Sequence, residues 1–136
     1  MGWNGTGSSW QYSRWVWNIA RNSRITNPTG AELTAVKTFL KYFWNPVTDT
    51  GTRPWLKYKF MRLAIASSDG YEGDIDSQPT PVLVEMVAAV GRDLKKIPVT
   101  DTEKGYCDTL ITATGNRRYG TGVYFGGVGG SLVTVP

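Results

Sequence analysis

At 136 residues the chain has the length of one domain, and it can bury a core without disulfides or metals. Hydrophobic residues make up 40%, charged residues 19%, and the formal charge is +4, a balance that permits contact with a polyanion without demanding it. Histidine is absent and Cys107 is the only cysteine, which excludes Ser-His and Cys-His nucleophile pairs, histidine metal sites and an intrachain disulfide.

Taken in order, residues 1–27 read as an N-terminal docking arm and 28–136 as the globular body of the same domain. The first 24 residues hold Trp3, Trp10, Trp15 and Trp17, together with Arg14, Arg21 and Arg24, and the first carboxylate is Glu32. Gly2, Asn4-Gly5 and Gly7-Ser8-Ser9 punctuate an extended, turn-rich start. With Ser9 as cap, Tyr12, Trp15, Val16 and Ile19 fall on one face of a short helix, while Arg14, Asn18, Arg21 and Asn22 fall on the other; an extended reading is also open, because Trp15 and Trp17 alternate with Val16 and Asn18. Thr29 and Glu32 have the spacing of a capping box, which predicts a helix from Gly30 to Phe43 or Trp44. Its apolar stripe is Val36, Phe39, Leu40 and Phe43.

Beyond the stop at Asn45-Pro46, the run Trp55-Leu56-Lys57-Tyr58-Lys59-Phe60 alternates with period two and predicts a strand, extended to Ala64-Ile65 after a bulge near Met61. Residues 67–81 form a polar connection carrying Asp69, Glu72, Asp74 and Asp76. This spacing does not match a calcium loop, and a solvated loop is the favoured reading. Residues 81–90 are balanced between helix and strand: Thr80, Pro81 and Gly91 favour a helix, while Val82, Val84, Val87 and Val90 favour a strand. The two alanines, Ala88 and Ala89, tip the balance to helix. Lys95, Lys96 and Pro98 make a solvated exit. Strands are expected at Cys107–Ala113, Tyr119–Phe125 and Leu132–Val135. The expected class is therefore α+β: an antiparallel, β-rich C-terminal half, one or two helices, and an extended aromatic arm.

No catalytic motif stands out, and no enzymatic activity, cofactor or metal site is expected. Gly127, Gly129 and Gly130 lack the spacing and the lysine of a phosphate loop. Cys107 is expected to be a small buried side chain. No apolar run approaches the roughly 20 residues of a membrane span, so no membrane partner is expected. The functional weight falls on the aromatic start. Trp10, Trp15 and Trp17 are expected to anchor a core or a subunit interface, since tryptophan is enriched at protein contacts. The alternatives are a nucleic-acid contact through Arg14, Arg21, Arg24, Arg117 and Arg118, with aromatic rings stacking on bases, and a sugar-binding tryptophan platform.

The opening Trp3-Asn4-Gly5-Thr6-Gly7 is followed by an aromatic residue, Arg14, Trp15 or Trp17, and then Ile25-Thr26 before a capped helix. This order resembles the N-terminal segment of tailed-bacteriophage tail-fibre and tail-spike proteins, over about the first 36 residues. Ser8-Ser9-Trp10 stands where that family has an early phenylalanine, and Asn27-Pro28-Thr29-Gly30 replaces its Arg-Met-Asp step. The resemblance implies a virion location and a docking role for Trp3, Asn4, Gly5 and Gly7. The chain is accordingly expected to be a structural virion component, such as an adaptor, fibre base, tail or capsid protein. Its partners would be its own copies and other virion proteins, with nucleic acid as the alternative partner for a coat protein.

Overall fold

Three helices begin at a hydroxyl side chain that closes a reciprocal cap. In α1 (Ser9–Arg21) the cap is Ser8, not Ser9: its Oγ accepts from the Gln11 N–H at 3.3 Å, while Gln11 Oε1 accepts from the Ser8 N–H at 2.8 Å. Ser9 is used differently, accepting from the Val99 N–H at 2.9 Å. The Thr29–Glu32 box opens α2 (Gly30–Phe43) with the boundaries its sequence predicts. A third box, Thr100 with Glu103, opens α5 (Asp101–Ala113). Each such box satisfies backbone donors that the first helical turn leaves free. Between them lie α3 (Leu56–Ala66) and α4 (Thr80–Lys96), which Pro79 and Pro81 start. The structure, a computed structural model, describes residues 7–21, 27–67, 70 and 73–114.

Helix α4 is the centre of the body. Val82, Leu83, Val84, Met86, Val87, Ala88, Ala89, Val90, Gly91 and Leu94 are buried, so it is apolar nearly all round, as a helix covered on several sides must be. α1 lies along it in the most extensive pairing, α2 and α3 pack on it as well, and α5 closes against α2 and α1. Stacked Tyr42 and Tyr106 join α2 to α5, with ring centroids 3.7 Å apart. The Tyr12 hydroxyl joins α1 to α5 by donating to Asp108 at 3.0 Å.

The α1–α4 crossing is tightest at Gly91. A Cβ there would lie 3.0 Å from the Trp17 backbone nitrogen, and Ser13 Oγ donates to the Gly91 carbonyl at 2.5 Å. Glycine is what lets the two backbones come this close. α4 runs through Gly91 to Lys96, so this glycine serves helix packing and is not a helix stop.

The α+β expectation is overturned. The described residues are helical, and their β structure is one isolated antiparallel bridge, Asn45 to Thr50. The predicted strand at 55–60 is the first half of α3. Its buried residues, Leu56, Phe60 and Ala64, recur every four positions, and the period-two alternation in the short window is incidental. The predicted strand at Cys107–Ala113 is the second half of α5, where Cys107, Leu110 and Ile111 make the buried face. The balance at 81–90 resolves as helix, because burial on several sides accommodates the valines in α4. The arm is not extended over residues 9–21, which form α1. The expected strands Tyr119–Phe125 and Leu132–Val135 lie outside the described residues.

Cys107 is fully buried, and burial pushes its thiol pKa far up, with the charges of Asp108 and Glu103 adding to the effect. A thiol held protonated and out of solvent is inert. The native protein is therefore expected to show no reaction with a disulfide reagent at mildly alkaline pH, and to release a full thiol equivalent once unfolded. Rapid labelling in native buffer would contradict this placement.

Candidate functional site

The outer face of α1 alternates ring and guanidinium. Trp10, Arg14, Trp17 and Arg21 are spaced four, three and four residues apart, which places them in one stripe about 16 Å long. The inner face, Tyr12, Trp15, Val16 and Ile19, is buried against the core. Opposite the stripe, the last two turns of α4 present Arg92, Lys95 and Lys96. Between these two rows runs a groove of about 590 Å³ lined by Trp10, Ser13, Arg14, Trp17, Arg92, Lys95 and Lys96. Among the described residues, no carboxylate lines it.

Trp17 organises the cations. The Arg21 guanidinium carbon lies 4.3 Å from the centre of its ring and that of Arg92 lies 5.2 Å away. Such contacts stabilise by roughly 0.5–1 kcal/mol at exposed sites, and they hold planar forks in a set orientation. Arg14 reaches over Trp10 at 5.8 Å, leaving that ring about half exposed. Among the described residues, Arg14, Arg92, Lys95 and Lys96 have no carboxylate within ion-pair distance. Arg21 has Glu85 at 4.0 Å, with both side chains 47% exposed, a pair of little energetic weight.

The α4 end of the groove is fixed from behind by Arg53, whose side chain is almost wholly buried. Its Nε and Nη2 donate to the two oxygens of Glu103 at 2.9 Å, and Nη1 donates to Asp93 Oδ2 at 2.9 Å. Nη1 and Nη2 also donate to the carbonyls of Asp93, Ile97 and Pro98. Arg53 is thus a C-terminal cap for α4 supplied by a distant loop, placed where a helix dipole favours a cation. Trp55 Nε1 donates to the same Asp93 oxygen at 2.8 Å, and Thr52 donates to Glu103. Burial alone would raise the Glu103 pKa, but the hydrogen bonds and charge of Arg53 and the Thr100 N–H outweigh it and hold the carboxyl below its ordinary value. Burial alone would lower Arg53, and the same partners carry it upward instead. The cluster sets one guanidinium against two carboxylates, Asp93 and Glu103, so it adds no positive charge, and the groove's positive field comes from its rim residues.

No protein-family model, no curated protein and no solved structure matches the chain.

The residues singled out in the sequence divide cleanly. Trp10, Arg14 and Trp17 line the groove, and Arg21 stacks on Trp17 beside it. Trp15 goes to the core, in edge-to-face contact with Tyr12 at 5.0 Å, and so is no anchor for a neighbour. Gly7 is buried beneath it: a Cβ there would lie 2.6 Å from the Trp15 ring. Trp3, Asn4, Gly5, Arg24, Arg117 and Arg118 lie outside the described residues. Arg92, Lys95, Lys96 and the Arg53 cluster are missed by sequence reasoning. A paired lysine at a helix end reads as solvated, and nothing local shows that it faces α1.

In the acidic connection, the described carboxylates Asp74 and Asp76 are engaged within the chain. Asp74 accepts from the Asp76 N–H and from Ser77, and Asp76 pairs with Lys41 at 3.0 Å. Asp69 and Glu72 lie outside the described residues. Among the described residues there is no cluster of three or more potential metal ligands, and no helix is long and apolar enough to cross a membrane.

A second surface lies on α3. Tyr58, Met61 and Ile65 share the face opposite buried Leu56, Phe60 and Ala64, with Tyr58 66% and Ile65 61% exposed. Large side chains aligned on one exposed face mark contact surfaces more often than scattered apolar residues do.

Proposed function

We propose that the chain is a non-enzymatic structural protein of a tailed-phage particle, acting by self-association and by docking to neighbouring subunits. The observation that carries the docking part is the exposed α3 stripe of Tyr58, Met61 and Ile65, which gathers three of the seven exposed large hydrophobic side chains among the described residues on one helix face. Trp10 adds a half-exposed ring on the α1 side. The assignment to a virion rests on the resemblance of Trp3 to Gly7 and the residues that follow to phage fibre N-termini. Burying an exposed aromatic or branched side chain contributes about 1.5–3 kcal/mol, so a few such anchors per contact are enough to drive assembly at high local concentration.

Sedimentation velocity across a wide concentration range tests this reading. The expected result is a concentration-dependent oligomer in the wild type that is lost in the Tyr58→Asp/Ile65→Asp double variant. Both positions are exposed, so the melting temperature should stay near that of the wild type. A wild-type chain that remains monomeric throughout, or a double variant that assembles normally, would refute self-association through this face.

A further inference from the structure

We propose that the α1/α4 groove binds single-stranded nucleic acid. The proposal concerns a surface separate from the α3 stripe and goes beyond the docking reading. Four cations that have no carboxylate partner among the described residues, Arg14, Arg92, Lys95 and Lys96, line one concave surface, and Arg21 stacks on Trp17 beside them. Lys95 and Lys96 alone would be explained by the dipole of α4, which favours cations in its last turn. That explanation does not reach Arg14, which lies in the middle of α1. Nor does it reach Arg92, which leans across to a ring on another helix.

The division of labour between the two tryptophans selects the ligand class. Trp17 is engaged by Arg21 and Arg92, so it sets the orientation of two forks suited to bidentate contact with phosphate oxygens. Trp10 is half exposed at the edge of the same groove and offers a flat surface for a base. An acidic peptide would use the charge but would leave that ring without a planar partner. A duplex hides its base faces in its own stack and has no use for a ring at the groove edge. A single strand supplies both phosphates and free base faces at close spacing.

Fluorescence anisotropy of a labelled oligothymidylate with the full-length chain tests the proposal. Binding is expected at low salt, falling with rising salt with a slope in log K against log[salt] of about −3 for four phosphate contacts. Arg92→Gln and Arg14→Gln should each flatten the slope by about 0.7. Trp10→Ala should weaken binding roughly 5- to 100-fold, the effect of losing one stacked base. These positions are at the surface, and unchanged melting curves would confirm that the variants are folded. The proposal is overturned if the oligonucleotide does not bind at low salt, or if the three variants bind like the wild type. It is equally overturned if polyglutamate or a duplex of matched charge binds as tightly as the strand. Loss of strand binding with assembly intact would refute the groove alone, and strand binding by a strictly monomeric chain would refute self-association alone.

Discussion

Replacing Arg53 by methionine is expected to destabilise the protein by about 3–5 kcal/mol, the cost of leaving buried charge without its partner. The Glu103 side chain is 3% exposed and that of Asp93 12%, so solvent cannot take over the interactions Arg53 makes. The carbonyls of Ile97 and Pro98 lose their donor at the same time, and α4 loses its cap. The pH dependence distinguishes this account from simple loss of packing. In the wild type the folded-state pKa of Glu103 is depressed, so its contribution is present above the ordinary value of 4.5 and is lost as pH falls through that value toward the folded one. In Arg53→Met the principal partners that lower it are gone and burial raises it. The contribution then reverses sign, and stability falls as pH rises through the ordinary value toward the raised one. Chemical denaturation of both proteins at several pH values between 4 and 7 (a range of about three units around the carboxylate pKa) should therefore give pH slopes of opposite sense. Adding Glu103→Gln to Arg53→Met should recover part of the loss, since a neutral amide is less costly to bury than an unpaired carboxylate. A variant within about 1 kcal/mol of the wild type, with the same pH slope, would show that the cluster contributes little.

The second large effect is expected at Trp15. Trp15→Ala removes a ring that is 2% exposed and packed on Tyr12 and Gly7, and should cost about 3–5 kcal/mol. Set against a typical total of about 5–15 kcal/mol, that loss leaves a marginal fold. Trp10→Ala, at a ring 51% exposed, should change stability by no more than about 0.5–1 kcal/mol. Denaturant titration of the two variants makes the comparison. If they unfold with equal midpoints, the assignment of one ring to the core and the other to the surface is wrong. Loss of assembly in Trp15→Ala reports unfolding, so a docking role has to be tested at Trp10 and on α3.

Where the sequence carries a local signal with a physical cause, it predicts the structure closely. The Thr29–Glu32 box sets the start of α2, and Tyr12, Trp15, Val16 and Ile19 define the inner face of α1. The Thr100–Glu103 spacing carries the same signal for α5, but β-branched Thr109, Ile111 and Thr112 mask it when propensity is weighed over the shorter window. At α3 the six-residue alternation competes with a four-residue recurrence visible only over the whole helix. The groove is half legible, because its α1 row is contiguous in sequence. Its α4 row is about 78 residues away and becomes its partner only through the crossing at Gly91. Arg53 is not legible at all: a lone arginine in a polar loop looks solvated, and its burial depends on carboxylates 40 and 50 residues further on.

That separation bears on when the groove comes into being. Arg53 closes the end of α4 only where the α2–α3 loop, α4 and the start of α5 meet, contacts that are distant in sequence. Arg92, Lys95 and Lys96 stand on the turns that Arg53 secures. The cationic row is therefore displayed by a chain that has finished folding and is withheld by one that has not. A single buried guanidinium thus ties the display of three surface cations to the completed packing of the α2–α3 loop, α4 and α5.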